Sequence, residues 1–479
     1  MYNNEKSKTQ GTAGVSRRGV PRREGRAWLC LALLAALVLP TCTQMPAPPP
    51  SGPLAADPGP RAGAPGAGNA IAGLSDAERE AFDAGRDDFA EAEGANDGLG
   101  PRMNLDGCAG CHLQPNVGGS SPAVNPQVAL ATAMGAANQI PAFISQNGPV
   151  REARFLRNPD GTADGGVQSV FTIAGRTDAP GCHLPQPNFA LELAKRNVIF
   201  RIPTPLFGGG LIEQIPDSEI LAHLAGDGAM KREYGVRGRP NVVMASHTVS
   251  GQGNRNGNDG TFARFGWKAQ NKSLLVFSGE AYNVEMGISN ELFQTERDES
   301  PECQFATTPN DVSTLDAESH IDGLNAIEKF AIFMRFLAPP EPSSDVPGGA
   351  ESIGRGARSF SAIGCALCHT PSMKTGNSTV AALRNQPVKL YSDLLLHDMG
   401  IDLADGVSQG QAGPRDFRSA PLWGLGQRLF FLHDGRTSDL RAAIQAHKSK
   451  GSEASAVINN FQRLPEPEKQ DMLNFLRSL

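Results

Sequence analysis

Three observations predict a mainly α-helical, loop-rich chain built from two units related by duplication. The pentapeptide Cys-x-x-Cys-His occurs at 108–112 ("CAGCH") and again at 365–369 ("CALCH"). Around each copy the same features recur in the same order, which is the mark of an internal repeat. Finally, 54 glycines and 36 prolines among 479 residues favour long loops around short helices over a dense sheet.

The pentapeptide reads as a site of covalent haem attachment, which makes each unit a class I cytochrome c-like haem domain. Ahead of each copy lies a helical run containing Gly-x-x-x-Phe, "GRDDF" (Gly85 to Phe89) and "GARSF" (Gly356 to Phe360). A Gly and a Phe four apart share one helix face and permit a close helix crossing. Ser75 and Glu78 form a capping-box pair that opens the first of these helices. Behind each copy comes a second phrase, "FRIPTPLFGGG" (Phe200 to Gly210) and "FRSAPLWGLG" (Phe417 to Gly426). Each unit closes on an amphipathic helix starting Glu-Lys, "EKFAIFMRFL" from Glu328 and "EKQDMLNFLRSL" from Glu468.

The chain divides accordingly. An Arg-rich start followed by the uncharged stretch Trp28 to Leu39 reads as a signal peptide over residues 1–42, too short to span a membrane. The sequence "LPTC" ending at Cys42 resembles a lipoprotein cleavage site, against plain cleavage a few residues later. The expected location is the periplasmic side of an exported protein, with an outer-membrane lipid anchor if Cys42 is acylated. Residues 43–73, rich in Pro, Ala and Gly, read as a disordered tether. The N-terminal domain then runs over 74–338, a linker over 339–349 and the C-terminal domain over 350–479. The first domain is the longer, and its extra loops are the expected builders of a substrate site.

Charge argues against nucleic acid. Residues 1–42 hold seven Lys and Arg against Glu5 and Glu24, so the net −6 of the whole chain becomes −11 once they are removed.

The cysteines and histidines carry the chemistry. Cys108, Cys111, Cys365 and Cys368 are expected to form thioethers to two haems, with His112 and His369 as iron ligands. Cys30 leaves with the signal peptide and Cys42 is the candidate for lipid, so Cys182 and Cys303 remain as a disulfide pair for an oxidising compartment. The rival reading takes "GCH" at 181–183 as a haem motif lacking its first cysteine. Function turns on the sixth iron position, because an iron with two protein ligands passes electrons and an open one binds peroxide or oxygen. After His112 no histidine appears until His183, whereas His397, His433 and His447 crowd the region after the second motif. His447 follows Leu440, Ala443 and Ile444 near one face of a helix.

The second half, with "YSDLLLHDMG" and "FLHDGRTSDLRAAIQAH", resembles the C-terminal half of bacterial di-haem cytochrome c peroxidases and of their relatives that mature methylamine dehydrogenase. In that superfamily the residue fourteen after the His-Asp-Gly histidine ligates the C-terminal haem. Here that residue is His447, so the resemblance implies a His369/His447 pair. The phrases "GLGPRMN", "GGSSP", "PLFGGGLIEQIPD", "RFGWKA" and "EMGIS" are similar to the bacterial di-haem oxidoreductase family, whose members are also labelled thiol oxidoreductases or peroxidases. That family resemblance extends from about Ser75 to the C-terminus, and rubber oxygenases are more distant relatives.

The resemblance implies two covalent haems c, calcium between the domains, and an oxidoreductase of peroxidase type. In that reading the C-terminal haem is six-coordinate and transfers electrons, and the N-terminal haem is open and catalytic. Its oxidant would be hydrogen peroxide or oxygen, and its donor a small electron-transfer protein or a quinol-linked one. The chain lacks the removable His ligand that known peroxidases carry soon after the first motif. Glu213, just after the repeated phrase, is the candidate distal acid, against a plain surface or cap carboxylate. Trp267 is the candidate electron relay between haems, against a core tryptophan. A non-enzymatic electron-transfer cytochrome, and an oxygenase or protein-modifying oxidase, are the alternative functions.

Overall fold

Each half is organised by a first helix crossing the last helix of the same half. The helices that build the site are α1 (Asp76–Ala90), α2 (Leu274–Met286), α3 (Ala326–Phe336), α4 (Gly349–Ala362), α5 (Leu440–Ala446) and α6 (Glu466–Ser478). This computed structural model describes residues 53–62, 66–100, 103, 105–162, 173–242, 262–294 and 301–479. The signal-peptide stretch with Cys42, the tether as far as residue 52, and His247 lie outside the described residues.

The expected capping box starts α1: Ser75 Oγ accepts from Glu78 N and Glu78 Oε2 accepts from Ser75 N, at 3.3 and 2.8 Å. Asn325 and Glu328 repeat the device at α3. The α1 face that carries Phe82, Gly85 and Phe89 is buried against α3. A Cβ on Gly85 would collide with the Lys329 carbonyl of α3, and one on Gly356 with the Asp471 carbonyl of α6. Only glycine allows backbones to approach that closely.

The aromatic residue four positions on packs in the same way in both halves. Phe89 meets Phe330 edge-on at 5.9 Å and His112 at 6.0 Å; Phe360 meets Phe475 at 5.4 Å and His369 at 6.4 Å. Burying each phenyl stabilises its half by about 2 kcal/mol. Phe330 and Phe333 of α3 belong to the larger core, and Phe475 and Leu476 of α6 to a second.

Of the four two-stranded antiparallel ribbons among the described residues, two bear on the site: β1 (Glu152–Phe155) with β2 (Val198–Arg201), and β3 (Leu396–Asp398) with β4 (Asp416–Arg418). The Phe-Arg of the repeated phrase ends β2 in one half and β4 in the other, setting Arg201 opposite Glu152 and Arg418 opposite Leu396. Further along the phrase, Gly210 lies against the backbone of Arg335 and Gly426 against that of Arg477. Residues 339–348 carry no regular structure before α4 begins.

The described part of the expected tether is not loose, which corrects the reading from composition. Asp57 receives Arg477 Nε and Nη2 at 2.8 and 2.6 Å and caps Leu440 N at 2.7 Å. The Ala55 amide donates to Glu466, the Arg61 amide to the Gly426 carbonyl, and the Ile71 amide to Phe336. Composition missed this because the segment offers the two cores only small or single apolar side chains, among them Ala55, Ala67 and Ile71. It is held by backbone donors and by one carboxylate on a guanidinium only 1 % exposed. Burial works to raise the Asp57 pKa, and its bonds to Arg477 override burial and leave it lowered.

Asp57→Ala would leave the Arg477 guanidinium buried without a counter-charge, and it is expected to destabilise the fold by about 3 kcal/mol in urea unfolding. A parental midpoint would show that the segment is not seated on α6. Cys182 and Cys303 sit side by side, each 3 % exposed, with Cα atoms 4.8 Å apart, inside the range a disulfide spans. Thiol labelling of the denatured, unreduced protein is expected to find both blocked, and two reactive thiols there would end that pairing.

Candidate functional site

The second pentapeptide lines an apolar cavity enclosing about 1350 Å³ of unfilled space, its open mouth included. Cys365, Cys368 and His369 form one wall, and His447, which caps the C-terminus of α5, lines it too. Both rings are oriented by backbone: His369 Nδ1 donates to the Tyr391 carbonyl at 3.1 Å and His447 Nδ1 to the Ala443 carbonyl at 2.8 Å. A carbonyl can only accept, so each Nε2 keeps its lone pair, as a metal ligand requires. Burial, then the His447 charge, pulls His369 down to about 4, and burial lowers His447 as well, so both rings are neutral at neutral pH.

The other two histidines of this half line the same cavity but are held by other groups. His397 is clamped between Asp393 and Glu453, at 3.0 and 2.9 Å. His433 stacks on Phe417 with ring centres 4.4 Å apart.

Donors left over at the cavity edge test whether a haem fits. Arg418 and Arg428 line the cavity without a carboxylate partner, and Arg428 Nε and Nη2 have no partner at all. Burial pulls both guanidiniums down to about 10, Arg428 adding to the effect on Arg418. Two desolvated cations beside an apolar slot call for an anion at that edge. A haem supplies it, with a flat apolar body and two carboxylates on one side.

The first pentapeptide has a parallel setting and a different opposite wall. His112 is 6 % exposed, and its Nδ1 donates to the Gly119 carbonyl at 3.1 Å, which again frees Nε2. That Nε2 lies 3.9 Å from Glu285 Oε2, carried on the last turn of α2. Cys111, Glu285, Glu152, Arg154, Arg201 and Gln270 line a cavity of about 700 Å³ in which, among the described residues, no histidine or methionine takes part. Glu152 forms an ion pair with Arg154; burial raises its pKa, Arg154 opposes this and Glu285 adds to it. Arg154 Nη1 and Arg201 Nε have no partner, so this cavity too has buried donors awaiting an anion. Burial raises the Cys108 and Cys111 thiols and pushes Cys365 up to about 12. Thiol–disulfide chemistry needs the opposite shift.

Trp267 lines both of these cavities and a third between them, its Nε1 donating to the Ile202 carbonyl at 3.0 Å. Residues of the two repeated phrases, among them Thr204, Phe207, Arg418 and Trp423, face that middle cavity together.

Glu213, expected as the distal acid, is elsewhere. It is fully buried, accepting from Leu274 N at 2.9 Å and from Arg335 Nε at 3.0 Å. It caps the start of α2 and ties it to α3, and it does not line the His112 cavity. Glu152, Arg154 and Arg428 had no signal in the sequence. Glu285 lay inside the "EMGIS" phrase, and Arg201 and Arg418 inside the repeated one.

A mainly helical scaffold carries two Cys-x-x-Cys-His motifs, each beside a cavity edged by unpaired guanidinium donors, as a di-haem protein requires. Residues 151–479 match the family described as "Di-haem oxidoreductase, putative peroxidase", and the chain belongs to that family. No curated protein matches it. Among solved structures, a MauG-like protein associated with microbial copper homeostasis is 21% identical, with a TM-score of 0.24, over 34% of this chain and 55% of that one. Hydrazine synthase of Kuenenia stuttgartiensis is 15% identical, with a TM-score of 0.22, over 34% and 56%. The chain thus spans a little over half the length of each.

Glu213→Gln is expected to cost about 1–3 kcal/mol in urea unfolding, because a buried acceptor is lost, and to leave the cyanide affinity of the holoprotein unchanged. Lost peroxide turnover at parental stability would return Glu213 to the acid role.

Proposed function

We propose that the chain is an exported di-haem c-type oxidoreductase of peroxidase type, which holds electrons at a C-terminal haem and reduces hydrogen peroxide at an N-terminal one. The observation that carries this reading is the difference between the cavities. One is lined by His369 and by His447 with its Nε2 free, the other by two glutamates and, among the described residues, by no histidine or methionine.

Cys365 and Cys368 would hold the C-terminal haem by thioethers between His369 and His447, a ligand set suited to electron transfer. Cys108, Cys111 and His112 would hold the N-terminal haem, which supplies an iron with a free position for peroxide. Peroxide reduction consumes two electrons and two protons and releases two waters, so the chain must deliver protons to both oxygens. Glu285 faces His112 Nε2, and Glu152 sits in the same cavity with its pKa raised by burial, so Glu152 is the carboxyl better placed to hold a proton for transfer there. Arg154 holds Glu152 in place through their ion pair. Trp267, fixed by Ile202 and shared by the cavities, offers an electron route between them.

The matched helix crossings support descent of two haem domains from one plan. Electrons would come from a small redox protein or a quinol-linked donor on the periplasmic side, with Cys42 as the lipid anchor.

Mass spectrometry of the exported protein is expected to find two haem additions, and its ferric spectrum one low-spin haem and one high-spin haem that takes up cyanide. His447→Met is expected to keep both haems and raise the potential of the low-spin one while leaving cyanide uptake intact. A fully low-spin protein indifferent to cyanide and peroxide would be an electron-transfer cytochrome, and the peroxidase reading would fall. Parental potentials in His447→Met would remove His447 as a ligand.

A further inference from the structure

One buried acid–base pair of the N-terminal half lies outside the three cavities and has no part in the proton delivery above. Tyr282 stands on α2 one turn before Glu285, is 5 % exposed, and donates its phenolic hydrogen to Glu93 Oε1 at 2.8 Å. Glu93 follows the end of α1 and is half-buried, so its carboxylate connects the interior with the surface.

Packed rings join this pair to the first pentapeptide. The Tyr282 ring meets Phe330 edge-on at 5.0 Å, Phe330 meets Phe89 at 5.9 Å, and Phe89 meets His112 at 6.0 Å. The phenol is thus an oxidisable side chain at the end of a ring path that starts on the histidine expected to hold the iron. Glu93 also raises the Cys108 thiol, after burial and Glu285, and Cys108 acts in turn on Tyr282, so the pair adjoins the cysteine to which the haem would be attached.

A buried hydroxyl needs only one acceptor, and desolvating a carboxylate to supply it costs more than using a carbonyl. What the carboxylate adds is a base. Burial raises the Glu93 pKa against the Tyr282 hydrogen bond, and Glu91, Asp97 and Asp88 add to the rise, which makes Glu93 a stronger base than a surface carboxylate. Burial, then the Glu93 charge, raises the Tyr282 pKa, so the phenol keeps its proton until an electron leaves it. An oxidised phenol is a strong acid, and a base within hydrogen-bond reach takes its proton.

We propose that Tyr282 is a one-electron donor to the N-terminal site: as peroxide is reduced there, an electron leaves the phenol, its proton passes to Glu93 Oε1, and a neutral tyrosyl radical remains. The inference rests on the peroxidase reading and extends it. Hydrogen peroxide takes up two electrons and two protons and yields two waters; one electron comes from the phenol and one from the bound iron, and the two protons come from solvent. The phenolic proton stays on Glu93, and an electron from the external donor later restores the phenol with it. The site gains an electron source separate from Trp267, and can finish a turnover while the C-terminal half is oxidised.

The test mixes the holoprotein, both haems ferric, with hydrogen peroxide and freezes it for electron paramagnetic resonance. A tyrosyl radical is expected, its hyperfine pattern narrowing when the protein is grown on ring-deuterated tyrosine. Tyr282→Phe is expected to abolish the signal with haem content and cyanide affinity parental, and Tyr234→Phe to keep it. Glu93→Gln leaves the phenol an acceptor and removes the base, so the signal is expected to form about a hundredfold more slowly, the least that a positioned base contributes; formation at the parental rate overturns the role of Glu93 and with it the proposal. Peroxide consumed with no tyrosyl signal, or a signal undiminished in Tyr282→Phe, overturns the proposal and leaves the peroxidase reading standing. A holoprotein that does not consume peroxide overturns both. If Tyr282→Phe does not accumulate, a nitroso spin trap followed by peptide mass spectrometry locates the radical in the parent: an adduct on Tyr282 supports the assignment, and an adduct elsewhere or none overturns it.

Discussion

Two helix crossings, one in each half, tolerate nothing larger than hydrogen, and the placement of both pentapeptide histidines follows from them. At Gly85 over Lys329, and at Gly356 over Asp471, two backbones meet where side chains would ordinarily hold them apart. Because α1 and α4 lie so deep, Phe89 and Phe360 reach under the pentapeptides and touch His112 and His369. Each of these histidines is then fixed from two sides, by an aromatic ring on one and a carbonyl bonded to Nδ1 on the other. Orientation of this kind decides which nitrogen is left to bind a metal.

A second constraint runs through the charges. The interior between the cavities holds Glu152 with Arg154, and Arg201 with Asp405 and Lys268. Desolvating so many ions is unfavourable, and hydrophobic residues of the same volume would commonly be as stable. Their persistence is better understood from what they face. Arg154, Arg201 and Arg428 all keep donors unspent toward a cavity, so their partners belong to what the cavity is shaped to hold. The unspent guanidinium donors thus suit a ligand carrying carboxylates, while the remaining buried charges are paired within the chain.

How much of this was legible in the sequence depended on range. The pentapeptides, the capping box at Ser75 and the Gly-x-x-x-Phe runs act within a few residues, and each was readable. Arg201 and Arg418 were visible only as parts of a repeated phrase, because what matters about them is the cavity they end beside. Glu152 follows His112 by forty residues, with no local pattern to mark it; a strand pairing brings it to the site. Glu213 misled for the converse reason. It stands directly after the phrase in sequence, but the short helix Gly209–Glu213 turns it into the core, where Arg335 and the start of α2 claim it. The segment around Asp57 misled because composition weighs side chains, and this stretch is held by its backbone and one ion pair.

The two halves share a scaffold and differ in what was added to it. In the C-terminal half the chain passes from the repeated phrase to α5, and His447 at the end of that helix lines the cavity opposite no competing insertion. In the N-terminal half more than a hundred residues separate the phrase from α3, and within them one short stretch does three things. Trp267 reaches all three cavities, Lys268 next to it pairs with Asp405 of the other half, and α2 carries Glu285 to His112. Glu213 anchors the start of that same helix, so the residue first taken for the acid positions the helix that bears the better candidate. Residues 267 and 268 point their side chains to opposite duties, one toward the cavities and one to Asp405. Neither can shift without disturbing the other, which couples the join between the halves to the geometry of the site.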